Sequence, residues 1–168
     1  MHTLTIVLRL LHILGGAFWF GSAMMMSFFI SPAVAATSDA GQRFMGHLVT
    51  RARIVTVISA LAGLTVLAGA ALYWIDSNGF TSAWTTSGAG LVFGIGGVFG
   101  FIGFIFGLQI GTNTKRLVRI GSEVQGKPTP DQMNQIQAAQ KRLRVAGPIS
   151  AYSLIVAMIC MSVARYWF

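Results

Sequence analysis

The sequence predicts an all-α integral membrane fold, a bundle of four transmembrane helices carrying helical extensions on one side. Three observations predict it. Hydrophobic residues make up 54% of the chain and charged residues only 10%, against roughly 25% charged in soluble domains. Four predominantly apolar runs, Thr3–Ile30, Ile54–Ile75, Gly88–Gly111 and Val145–Trp167, each suffice for the ~20 residues a helix needs to cross ~30 Å of hydrocarbon. The runs are continuous, whereas barrel strands alternate lipid-facing and lumen-facing residues, and in lipid a helix satisfies its own backbone polar groups. No length remains for a separate soluble domain, so residues 1–168 read as a single membrane domain with loops over 31–53 and 112–144.

The first run ends near Ala33-Val34-Ala35, which looks like a signal-peptidase site. A signal peptide's apolar core is about 7–15 residues, and Leu10–Ile30 is longer, so the run reads as a retained helix. In the loop that follows, Ser38 or Asp39 offers an N-cap, which predicts that helix two begins some ten residues before the membrane. The third run holds nine glycines, and Gly100, Gly103, Gly107 and Gly111 share one helix face. Small-residue stripes let helix backbones approach closely in lipid. Packing inside the bundle or against a partner is one reading of this face, and a smooth bed for a porphyrin is another. Gly121–Pro128 reads as a flexible linker. Thr129, Pro130 and Gln132 then form a capping box with proline at the first helical position. Met133, Ile136 and Leu143 make an apolar stripe suited to pack on the bundle end, and Gly147-Pro148 predicts a break or kink where that helix enters the bilayer.

Charge sets the orientation. The formal charge is +8, yet Arg43, Arg51, Arg53, Lys115, Arg116, Arg119, Lys127, Lys141, Arg142 and Arg144 all fall in two loops, while the loop Asp76–Gly88 has no base. Basic residues near helix ends stay cytoplasmic, which places both termini and the Asp76 loop outside, in the periplasm of an inner-membrane protein. The basic loops meet anionic headgroups of the lipid bilayer. Nucleic acid is not indicated, since neither loop interleaves aromatics with its bases.

The chain is poor in reactive groups. Its four carboxylates, Asp39, Asp76, Glu123 and Asp131, lie outside the middle of the apolar runs, which disfavours a carboxylate-driven pump. Cys160 is the lone cysteine and reads as a packing residue. Met24, Met25 and Met26 suggest copper through soft thioethers, but adjacent helical residues point about 100° apart and cannot converge on one ion. Arg9 and His12 are the ionisable residues within a run. Spacing puts them on one face with Gly15, Gly16 and Trp19. Such a face suits haem b: an imidazole supplies an axial nitrogen, glycines leave room for the ring, Arg9 reaches a propionate and Trp19 lines the plane. The same residues also read as a histidine bonded to a neighbouring helix, small residues packing helices together and a core tryptophan. His47 lies on the opposite side and does not complete a bis-histidine site. His2 reads as a terminal residue without a role.

"LRLLHILGGAFWFG", with Arg9, Leu11, His12, Trp19 and Gly21, resembles the opening helix of small bacterial membrane proteins related to the copper-resistance D domain and of the HemJ-type protoporphyrinogen oxidases. "RFMGHLVTRAR" and "LAGLTVLAGAALYW" add to the likeness, which covers roughly the first 75 residues. The resemblance implies an axial haem-ligand role for His12. The oxidases' essential third-helix lysine has no counterpart in Gly88–Gly111, so it does not extend to porphyrinogen oxidation. Two functions are therefore expected: a haem b protein with a redox role in the membrane, or a non-catalytic subunit that docks into a larger complex, or onto a second copy, through its glycine-rich third helix.

Overall fold

In the computed structural model, which describes residues 2–124 and 126–167, the secondary structure is entirely helical among the described residues. The chain runs α1 (His2–Met25), a π-turn (Met26–Ile30), α2 (Ser31–Ala36), α3 (Ser38–Thr50), α4 (Ile54–Asp76), a 3₁₀ turn (Ala83–Thr86), α5 (Gly88–Glu123), α6 (Pro130–Val163) and a last 3₁₀ turn (Ala164–Tyr166). Four continuous helical stretches are long and apolar enough to cross a membrane: His2–Ala36, Ile54–Asp76, Gly88–Glu123 and Pro130–Tyr166.

Sequential helices are neighbours. Helix α1 packs on α4, α4 on α5 and α5 most extensively on α6, while a smaller α1–α6 contact closes the ring. One layer contains a residue from each spanning helix: Trp19 of α1 (5% exposed), Ala62 of α4, Leu154 of α6 and, partly buried, Phe104 of α5. The Trp19 and Phe104 rings meet edge to face with centroids 6.3 Å apart, a favoured aromatic geometry. Large apolar side chains elsewhere, including Leu4, Leu14, Leu67, Val98 and Ile159, point outward.

The two ends differ. At the Asp76 end, Tyr73, Trp74, Phe80, Trp84 and Phe93 form a chain of ring contacts, and the Tyr73 hydroxyl donates to the Gly90 carbonyl at 3.1 Å. At the basic end, α5 continues from Gly111 to Glu123 and α6 starts at Pro130, so the pair extends past the apolar runs as a helical hairpin. The expected capping box forms: Thr129 Oγ1 accepts from the Gln132 amide and Gln132 Oε1 from the Thr129 amide. The expected linker Gly121–Pro128 is shorter than the sequence suggests, because Gly121–Glu123 belong to α5, and Gln125 lies outside the described residues.

Two further local expectations are corrected. Helix two does not begin some ten residues before its apolar run. Arg53 adopts a left-handed conformation (φ 52°), which ends α3 as a separate helix and starts α4 at Ile54. Of the break or kink expected at Gly147-Pro148, the break does not occur, because α6 continues through both residues to Val163. Proline removes one backbone bond there, and the residues just beyond are anchored on α5, where Ser150 Oγ donates to the Gly103 carbonyl at 3.0 Å. Pro32 acts differently. Lacking an N–H, it follows the π-turn, in which the Ser31 amide reaches back to the Met26 carbonyl.

Candidate functional site around His12

His12 lies on the face of α1 turned toward α4. Its Nδ1 donates to the backbone carbonyl of Thr65 at 2.8 Å. A carbonyl only accepts, so Nδ1 carries a proton and Nε2 is the nitrogen left for another partner. The imidazole lies against Gly69, where a methyl group would fall 2.6 Å from Cε1 and 2.8 Å from Nδ1. Any side chain at position 69 would displace the ring. Thr65 is itself fixed, its Oγ1 donating to the Leu61 carbonyl at 2.8 Å. His12 is thus held from behind by one hydrogen bond and one close backbone approach.

The other residues of that helix face are placed as follows. A methyl group at Gly15 would lie 2.7 Å from Thr65 Oγ1, and one at Gly16 would lie 3.3 Å from Thr65 Cγ2. The room these glycines leave is filled by Thr65 of α4. Trp19 is buried in the central layer. Arg9, one turn from His12 toward the chain start, is exposed, with no ion pair among the described residues. His47 is exposed on α3 at the basic end and His2 is exposed at the start of α1. Among the described residues no group of three or more His, Cys, Asp or Glu side chains gathers as a metal cluster would. Of the three histidines, His12 is the one placed against a neighbouring spanning helix.

A haem needs little more than that from its proximal side. Ligating histidines almost always donate their other ring N–H to a carbonyl, carboxylate or water, which fixes tautomer and ring orientation. His12 fits as an axial ligand on this criterion, and Arg9 is free to meet a propionate. Gly15, Gly16 and Trp19 fit a supporting role, in which they seat α1 on α4, better than the lining of a porphyrin face. Thr65 and Gly69 are the positioning residues that composition and motif did not single out. Their signal was a polar residue and a glycine four positions apart, one helical turn, inside an apolar span.

The stripe of Gly100, Gly103, Gly107 and Gly111 faces inward. A methyl group at Gly103 would lie 2.8 Å from Leu154 Cδ2, and one at Gly96 would lie 2.9 Å from Cys160 Cβ. A methyl group at Gly100 would meet Ala157 and one at Gly107 the Ser150 hydroxyl, each at 3.9 Å, and one at Gly111 would lie 2.8 Å from Val55 Cγ1 of α4. Gly97 has open space beside it. Met24 packs against the central layer and Met161 against Gly96, while Met26 opens the π-turn. In comparisons with known protein families, with characterised proteins and with solved structures, the chain matches none.

Proposed function

We propose that this chain is a multi-pass protein of the cell membrane that binds haem b through His12 and serves a redox role there. The supporting observation is the seat of the imidazole, with Nδ1–H committed to the Thr65 carbonyl and the ring against Gly69. That arrangement leaves Nε2 as a pre-oriented donor of the kind haem iron takes. When bound, haem supplies the one-electron chemistry. The protein's part is to hold the ligand's tautomer and angle, to offer Arg9 as a counter-charge, and to keep the site in an apolar layer. In this reading the basic loops face the cytoplasm and the Asp76 loop and both termini face outward, following the bias of basic residues.

The test is an absorbance spectrum of the detergent-purified protein from haem-replete cells, oxidised and then reduced with dithionite. The expected result is a haem b difference spectrum that is lost in His12→Ala. A colourless wild type would overturn the reading. It would favour the subunit alternative, in which α5 meets a partner over its outward surface around Gly97 and the protein co-purifies with other chains.

A further inference from the structure

The basic end of the bundle carries a groove of about 390 Å³ between α5 and α6, lined by Gln109, Ala138, Lys141, Arg142 and Val145. Its volume lies within the ~300–1,000 Å³ typical of small-molecule sites. The α6 residues recur at helical spacing, so one face of that helix forms a wall, with Gln109 of α5 opposite. We infer that this groove binds one anionic phospholipid, whose phosphate is met by Lys141 and Arg142 and whose first methylenes lie against Val145. The inference rests on the membrane placement proposed above and is independent of haem.

Three observations support it. The first is charge. Lys141 and Arg142 are exposed and have no hydrogen-bond or ion-pair partner among the described residues. Glu123 pairs with Arg119, and Asp131 accepts from Gln135 Nε2 at 2.8 Å. Both of those carboxylates sit at the tip of the hairpin, away from the groove. The second is depth. Val145 opens the last apolar run, and Ala138 lies two turns farther out, about 10 Å along the helix. Lys141 and Arg142 stand three to four residues beyond Val145, about 5–6 Å along the helix, inside the roughly 5–8 Å headgroup zone on each side of a ~30 Å hydrocarbon core. The third is the floor. Ala138 and Val145 give the groove apolar walls beside two cations, a combination that suits an amphiphile better than a free inorganic anion. Basic pockets between helices at the cytoplasmic surface recognise anionic headgroups by this chemistry.

The experiment is a titration of phosphatidylglycerol into the full chain in neutral detergent, read as bound lipid by native mass spectrometry, with phosphatidylcholine as comparator. The groove variant Lys141→Gln/Arg142→Gln is compared with Arg43→Gln/Arg51→Gln, which removes equal charge at the same end but outside the groove. The expected result is one bound phosphatidylglycerol in preference to phosphatidylcholine. Its affinity should fall roughly thirtyfold in the groove variant, from about fivefold per basic residue, and less than about threefold in the other. Equal losses in both variants, or no preference for the anionic lipid, would overturn the site while leaving the membrane reading intact. A chain that stays dispersed in water without detergent would overturn the membrane reading, and the lipid site with it.

Discussion

At the scale of single residues, α4 positions one imidazole in two ways. Thr65 gives His12 a carbonyl and Gly69 gives it space. The two effects separate experimentally. Gly69→Leu keeps the histidine but fills the room its ring occupies, so under the proposed haem binding the variant should lose most of the wild-type absorbance while retaining its helical circular dichroism. Full pigment in Gly69→Leu would show that the ring position seen here is not the one that ligates. The candidate histidine and its helix face were legible in the sequence, because an ionisable residue in an apolar run is costly enough to be conspicuous. What occupies that face was not legible. Spacing says that Gly15 and Gly16 point the same way as His12, and says nothing about whether a cofactor or a neighbouring threonine fills the gap.

Helices succeed or fail as pairs. The α5–α6 pair is welded at Gly103, where Leu154 sits closer than any side chain at position 103 would allow and where Ser150 adds its hydroxyl bond. Gly103→Leu should therefore destabilise the bundle by about 1–3 kcal/mol, the usual cost of overpacking a close contact, and lower the thermal transition measured in detergent. Gly97→Ala meets open space and should leave that transition unchanged or slightly raised, since alanine is the better helix former. Equal effects at the two glycines would contradict the inward orientation of the stripe. The capping box at Thr129 was readable because it is written in two side chains three positions apart, Thr129 and Gln132. The break between α3 and α4 was not. It depends on the backbone of Arg53, a residue type with no preference for the left-handed region.

Across the whole molecule, polarity is divided between the ends. Ten of the 12 basic residues fall in the two loops of one end, and a knot of five aromatic rings marks the other. Tryptophan and tyrosine favour membrane interfaces, so the aromatic knot is expected at the outer headgroup level. A topology experiment checks this in a Cys160→Ala background: Asn78→Cys should react with an impermeant maleimide added to intact cells, and Ser122→Cys only after the membrane is opened. The reverse pattern would invert the orientation. The four apolar runs and their antiparallel order were legible because ~20 apolar residues have few alternatives to a spanning helix. The lengths of α5 and α6 beyond those runs were less so, since hydropathy reports where a helix leaves the hydrocarbon and not where it stops.

Those lengths make the hairpin a lever. Glu123 stands 20 residues beyond Gly103 on one uninterrupted helix, an arm of about 30 Å. The contact between Gly103 and Leu154 is its fulcrum, set in the same layer as Trp19 and Phe104. Each degree of tilt at that fulcrum sweeps the tip through about half an ångström. A tilt of about two degrees in the apolar layer would thus reach the hairpin tip as a movement of about one ångström.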